Sequence, residues 1–480
     1  MARTPRQANL QSEIHNLQLG LKSSITIIEG VMSRKNGQKD ADPATAYTAD
    51  IPEEYVLSEE VRWLRTEDLN LFRYIRDAMN KIQVAFVSTY PPTECGIATF
   101  TKDLLMSIAK YTPFSRPIVV AVRGAEEIEP YDRSVKQQIY RNDRQSYLNA
   151  ADFLNASDVD VVNIQHEYGI YGGEDGEYVL DFVARLKKPV AVTLHTVLME
   201  PSKNQKRIMQ ELGKLTDVLV VMVRTGRQIL LDRYGIDPTK VTVIAHGVPN
   251  VHRASASVVK RALAIQDRKV ISTFGLINRG KGIEYAIEAM AEVKRKYPNV
   301  LYLVLGETHP GVRAYEGESY RNHLLDLVAK LDLTHHVRFN NRFLALNELV
   351  RYLCATDVYL TPYLNKDQIV SGTLAYALGC GRAIVSTPYL YAEEVLGDGR
   401  GVLVDFRSAD AIAKSLIELL DNPQVREKYE TAAYRYGRRT AWFNVAVDYL
   451  DMYRKAQLRR EGRTPTKIVP QAREEVGARE

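Results

Sequence analysis

Residues 360–405 read LTPYLNKDQIVSGTLAYALGCGRAIVSTPYLYAEEVLGDGRGVLVD, and the punctuation of this stretch decides the fold. Residues 357–362 are dense in β-branched and aromatic side chains and stop at Pro362, the pattern of a buried strand. A polar loop follows, and Ser371-Gly372-Thr373 then opens an apolar segment that closes at Gly379 and Gly381. The order is strand, loop, helix start, with small residues in the first helical turn. Such a start offers backbone N–H groups at the positive end of a helix dipole and suits a diphosphate. An ordinary capped helix in an α/β domain reads the same way.

Working outward, short apolar runs alternate with longer helical segments. In the first half they fall at 84–88, 117–122, 160–164, 190–194, 218–222 and 241–244. After a polar bridge around 252–267 they resume at 270–274, 300–305, 337–339, 358–360, 383–385 and 402–404. Near-continuous apolar runs of this length are strands covered on both faces, and the alternation predicts βαβ units and parallel sheets. The expected fold class is α/β, with two Rossmann-like doubly wound domains, 83–255 and 256–435, facing a cleft. Ahead of them we expect an amphipathic helix over 1–35, a linker over 36–54 and a helical extension over 55–82. A helix over 436–458 and a disordered tail over 459–480 close the chain.

Composition narrows the function classes. The 480 residues are 45% hydrophobic and 26% charged, ordinary for a globular protein, and the net charge of +5 is too small for a nucleic-acid binder. Three cysteines form no CxxC pair, which predicts a reducing, cytoplasmic setting. No apolar run approaches a membrane span and the N-terminus has no signal-peptide core. No His/Cys/Asp cluster has metal spacing, so neither a metal nor another cofactor is expected. The two N-terminal helices suggest packing against the body or a homo-oligomer.

In doubly wound folds ligands bind beyond the carboxyl ends of strands. The loop after the first strand holds two prolines and Gly96-Ile97, where a ligand can approach the backbone. The third run ends in His166-Glu167-Tyr168 and the fourth in His195. Two of nine histidines closing consecutive strands on one rim point to function rather than to packing. In the second half, Arg279 and Lys281 lie in a Gly-rich loop at a helix start, where a cation and backbone donors converge on phosphate.

These residues resemble a retaining glycosyltransferase of the GT-B fold, family 4, over about 83–454. The landmarks are the loop 91–98, the segment Thr193 to Thr196, the Gly275/Lys281/Gly282 loop, and Ala377 to Ser386. The resemblance implies a metal-independent transfer of a sugar from a nucleotide diphosphate sugar to an acceptor hydroxyl, with retention. It places Lys281, with Arg279, on the donor diphosphate and His195 on the donor sugar. Gly96, Ile97, Ser371, Gly372 and Thr373 would bind the diphosphate, and His166, Glu167 and Tyr168 the acceptor or sugar side. No separate base is required, because the leaving phosphate can accept the acceptor's proton.

Two departures qualify the resemblance. The family's glutamate pair, which would hold the donor sugar and ribose, is Gln368 and Tyr376 here, uncharged side chains expected to bind the donor by hydrogen bonds to its hydroxyls. The family's loop arginine is Leu276, for which Arg279 would substitute. The expected function is therefore a glycosyltransferase of a divergent subgroup. The alternatives are a non-catalytic GT-B nucleotide-sugar-binding or partner subunit, or a GT-B phosphorylase.

Overall fold

The computed structural model describes residues 82–112, 116–124, 130–251 and 256–463. The helix expected over 1–35, the linker over 36–54, all but the last residue of the extension over 55–82, and the tail beyond 463 lie outside the described residues.

The first sheet is built from β1 (Val84–Ser88), β2 (Ile118–Arg123), β3 (Val135–Tyr140), β4 (Val161–His166), β5 (Val190–Leu194), β6 (Val218–Val221) and β7 (Val241–Val243), in the order β3-β2-β1-β4-β5-β6-β7. Every pairing is parallel. Its crossover helices are α1 (Gly96–Tyr111), α2 (Arg144–Ala156), α3 (Tyr178–Arg185), α4 (Lys203–Leu215) and α5 (Arg224–Tyr234). β1, β4 and β5 are buried along their whole length, β1 and β5 as nearly continuous apolar runs and β4 with the polar Asn163, Gln165 and His166 buried among its apolar residues. β3 has no counterpart in the sequence reading. Its VKQQIY is an edge strand with half its residues polar, so neither an apolar run nor clean alternation marks it.

A short helix, α6 (Ala256–Ala262), leads into the second sheet: β8 (Lys269–Phe274), β9 (Val300–Leu305), β10 (Val337–Asn340), β11 (Val358–Thr361), β12 (Ala383–Ser386) and β13 (Val402–Leu403). The order is β10-β9-β8-β11-β12-β13, again all parallel. Six expected strands are six observed strands. Between them run α7 (Ile283–Lys296), α8 (Pro310–Glu316), α9 (Ser319–Lys330), α10 (Leu346–Ala355), α11 (Gly372–Gly379) and α12 (Leu390–Leu396), followed by α13 (Ala409–Asp421) and α14 (Pro423–Arg439). The strand order reverses between β1 and β4 and between β8 and β11, so the loops after these four strands frame the crevices where such folds bind ligands.

The last helix, α15 (Trp442–Arg460), packs Trp442, Val445, Tyr449 and Tyr453 into one core with Phe100, Leu104 and Ile108 of α1. It extends past the expected end: Arg459, read as tail, donates to the carbonyl of Thr239 at 3.0 Å. The two interdomain crossings run side by side, with the Val248 amide donating to Thr440 at 3.0 Å and the Trp442 amide to Val248 at 3.0 Å. Gly247 is required there, since a Cβ would lie 2.1 Å from the indole of Trp442. A second tie is electrostatic. The carboxylate of Glu394 on α12 accepts from the amides of Arg224 (2.7 Å) and Thr225 (2.8 Å), capping α5 of the other domain.

Candidate active site

β8 ends at Phe274, and the chain turns at Gly275 with φ 123°. A Cβ on Gly275 would sit 3.1 Å from the Thr373 methyl and 3.9 Å from Lys281 Nζ, so the missing side chain is the space between them. Lys281 ends the 3₁₀ turn Arg279–Lys281, and its ammonium lies 3.9 Å from the centroid of the Tyr363 ring. Burial lowers its pKa to about 8. Ser371 caps α11 by accepting from the Leu374 amide at 3.3 Å, and the first main-chain bond of the helix joins Ala375 N to Ser371 O. The amides of Gly372 and Thr373 therefore precede the helical ladder, beside the Thr373 hydroxyl. Lys281, Gly275 and this helix start form one cradle, with a cation beside free backbone amides, the kind of arrangement that suits a diphosphate.

The second half of the site is reached through an aromatic hub. Phe100 on α1 meets the rings of His195, His246 and Trp442 edge-on, at 4.9, 5.1 and 5.1 Å. His246 Nδ1 bonds the carbonyl of Gly247 at 2.7 Å, and its Nε2 lies 3.1 Å from where a Cβ on Gly372 would be. His246 thus faces the start of α11 with an acceptor nitrogen. Burial pushes its pKa down to about 4. At the open end of α1, Cys95 caps the helix, its sulfur accepting from Ala98 N at 3.2 Å. Gly96 there has nothing within 4 Å of a Cβ position, while Ile97 packs against the core. Phe100 and His246 thus link His195 of the first domain to Gly372 at the start of α11 in the second.

His195 is oriented from below. Its Nε2 meets Gln165 Oε1 at 2.9 Å; Gln165 donates to Asn163 Oδ1 at 2.5 Å, and Asn163 to the Tyr453 hydroxyl at 2.7 Å. This buried ladder runs from the rim through β4 to α15 and fixes Nε2 as the protonated nitrogen. Burial, with the neighbouring His246 and His166, lowers the His195 pKa to about 3. It is neutral throughout the working range, so no limb of a pH–rate profile between about 5 and 8 belongs to it. Replacing Gln165 with leucine is expected to lower kcat about tenfold with little change in KM, read from steady-state transfer rates.

Four sequence assignments are corrected. His166 is wholly buried, with its ring stacked on Tyr171 at 6.2 Å, and neither nitrogen has a partner. Burial lowers its pKa to about 4, so it is a core imidazole rather than an acceptor contact. Tyr168 is buried too, its hydroxyl donating to Gln205 O at 3.3 Å. Arg279 points away from the cradle, paired with Glu316 at 2.9 Å and lying over Tyr320. Tyr376 is buried and donates to Asp103 of α1 across the domain junction. Two others are engaged locally: Glu167 accepts from Gly169 N at 2.7 Å, and Gln368 donates to Val370 O at 2.9 Å.

Sequence reasoning missed His246, Phe100 and Asp103. A His-Gly pair just past a strand end was the one available signal for the first; the other two carry none. Burial raises the Asp103 pKa to about 6, above the ordinary 3.8. A raised carboxyl favours folding when protonated, and that contribution is lost as pH rises from about 4 through about 6. Melting temperatures of Asp103→Asn and wild type should therefore diverge between pH 4.5 and 7.5, the wild type losing ground.

Two facing Rossmann-like domains, each a doubly wound parallel sheet, define the GT-B class. Residues 116–250 match the family described as Glycosyltransferase Family 4, and residues 258–436 the family described as Glycosyl transferases group 1. Together the two matches make the chain similar to the family 4 glycosyltransferases across both domains. A D-inositol 3-phosphate glycosyltransferase of Salinispora tropica is 29% identical over 255 residues, 50% of this chain and 51% of that protein. The chain thus spans about half the length of that relative. A GDP-mannose-dependent phosphatidylinositol monomannoside mannosyltransferase of Corynebacterium glutamicum is 22% identical over 74% of this chain and 92% of its own. Among solved structures, Anabaena Alr3699/HepE with UDP-glucose shares the fold at TM-score 0.62 and 13% identity, covering 78% of this chain and 99% of its own.

Proposed function

We propose that the protein transfers a hexose from a nucleoside diphosphate sugar to an acceptor hydroxyl, with retention at the anomeric carbon and without a metal. The observation that carries this reading is the convergence of Lys281, Gly275 and the α11 start on one space opposite His195. The diphosphate binds the amides of Gly372 and Thr373, and Lys281 offsets the charge that grows on it as the sugar departs. Neutral His195 contacts the sugar, and the departing phosphate takes the acceptor's proton. The donors named for similar proteins, UDP-glucose and GDP-mannose, indicate the donor class and leave the base open. The test is proton NMR of the product formed with each donor in excess EDTA. An unchanged anomeric configuration at undiminished rate agrees with the proposal. Inversion, or activity restored only by a divalent metal, contradicts it.

The engagement of Tyr376 with Asp103 favours a second reading, a nucleotide-sugar-binding protein without turnover. Binding of donor with no diphosphate released to any acceptor would select it.

A further inference from the structure

Resting on that donor-site reading, we propose that Tyr363 is a positioning residue that holds Lys281 and the start of α11 in one phosphate-ready arrangement. Its ring face carries the Lys281 ammonium at 3.9 Å, and its hydroxyl meets the Thr373 hydroxyl at 2.6 Å. Thr373 in turn lies 3.1 Å from the capping hydroxyl of Ser371. One side chain therefore touches both halves of the cradle.

The ring is held from both sides. It is 1% exposed and stacks on Tyr389 with centroids 5.4 Å apart, while its carbonyl accepts from the Thr387 hydroxyl at 2.6 Å. A fixed aromatic face suits a lysine that must stay charged without being neutralised. A carboxylate in that place would compete with the phosphate for the ammonium; a ring quadrupole stabilises the cation and leaves its charge for the ligand. No ion pair to Lys281 occurs among the described residues.

The titratable groups shown beside this ammonium are His309, whose pKa is lowered by burial and then by Lys281, and Tyr363, which itself neighbours Tyr359 and Tyr389. Burial holds all three phenols above their ordinary value, so Lys281 is the group that titrates near pH 8.

The experiment is calorimetric titration of UDP, GDP and ADP into the full chain from pH 6 to 9. Three proteins are compared: wild type, Tyr363→Phe, and a protein with a ring-fluorinated phenylalanine at 363. The fluorinated ring keeps the shape and loses the quadrupole, and the ligand's own titration cancels between proteins. Wild-type affinity should fall as pH rises through about 8. Tyr363→Phe should lose about threefold to tenfold at every pH, with that limb in place. Fluorination should move the limb acidward by about one pH unit, so that its extra loss is about threefold at pH 7.5, approaches tenfold at pH 9 and is small at pH 6. An unmoved limb with the fluorinated ring, or wild-type affinity in Tyr363→Phe, overturns the assignment. Wild type that binds none of the three nucleotides overturns the donor-site reading itself, and this inference with it.

Discussion

Replacing Lys281 with alanine is expected to cut kcat/KM for sugar transfer by about 10³-fold, close to 4 kcal/mol of transition-state stabilisation, and to leave the protein folded. The size follows from where the charge lies. Lys281 is a fixed cation over Tyr363 beside a helix start, and negative charge grows on the bound diphosphate as the glycosidic bond breaks. The fold should tolerate the change because the ammonium is held at a cost. Burial lowers its pKa from 10.5 to about 8, so the charged form is disfavoured in the native state. Thermal melts at pH 7 should show the alanine variant at least as stable as wild type. The profile carries a second signature. Wild-type kcat/KM should fall as pH rises through about 8 and Lys281 loses its proton, whereas the residual activity of the alanine variant should be flat there. Lys281→Arg should recover only part of the loss, since a planar fork does not reproduce a point charge on that ring.

Replacing Asp357 with alanine is expected to destabilise the second domain by about 3–5 kcal/mol, a fall of roughly 10 °C in melting temperature. Asp357 stands at the mouth of β11, where Oδ2 accepts from Lys260 Nζ at 2.5 Å and from the Val270 amide at 2.7 Å. Its own amide donates to Val270 O at 2.8 Å, so the pair pins β11 to β8 at the edge of their ladder. Both charged side chains are about nine-tenths buried. Removing the carboxylate strands an ammonium whose remaining partner is the carbonyl of Arg268 at 3.0 Å, and frees one strand amide. Replacing both charges, Lys260→Met with Asp357→Leu, should restore most of the loss, because the penalty belongs to the unpaired charge. Folded Asp357→Ala should keep its KM for donor; a stability loss below about 1 kcal/mol would contradict the burial argument.

The legibility of the sequence varied with the physics of each element. Twelve of the thirteen strands were read directly because each carries a short apolar or alternating run, the edge strands β7, β10 and β13 included, whereas β3 carries Lys136, Gln137 and Gln138 in succession. The residues of the proposed cradle stand out in the sequence because small residues at a helix start and a cation in a glycine loop are both sequence-local signals. Orientation was not legible. His166 and His195 look equivalent in sequence, yet His166 is still paired in the sheet, opposite Leu194, and its ring turns into the core. His195 lies one residue past the last pair and reaches the hub. Arg279 and Lys281 share a 3₁₀ turn, in which residues two apart point roughly 120° away from each other, so one faces the cradle and the other Glu316. Tyr376 was assigned by its place in a motif, but its partner Asp103 is 273 residues away in the other domain. Such pairings arise from tertiary packing alone.

The measurement that tests the central claim most directly is release of nucleoside diphosphate from UDP-, GDP- and ADP-sugars by wild type, with simple sugar acceptors and Lys281→Ala alongside. The account predicts acceptor-dependent release from one donor class, reduced about 10³-fold in the variant. Release that is equal in the two proteins, or absent with every donor while nucleotide still binds, would contradict it.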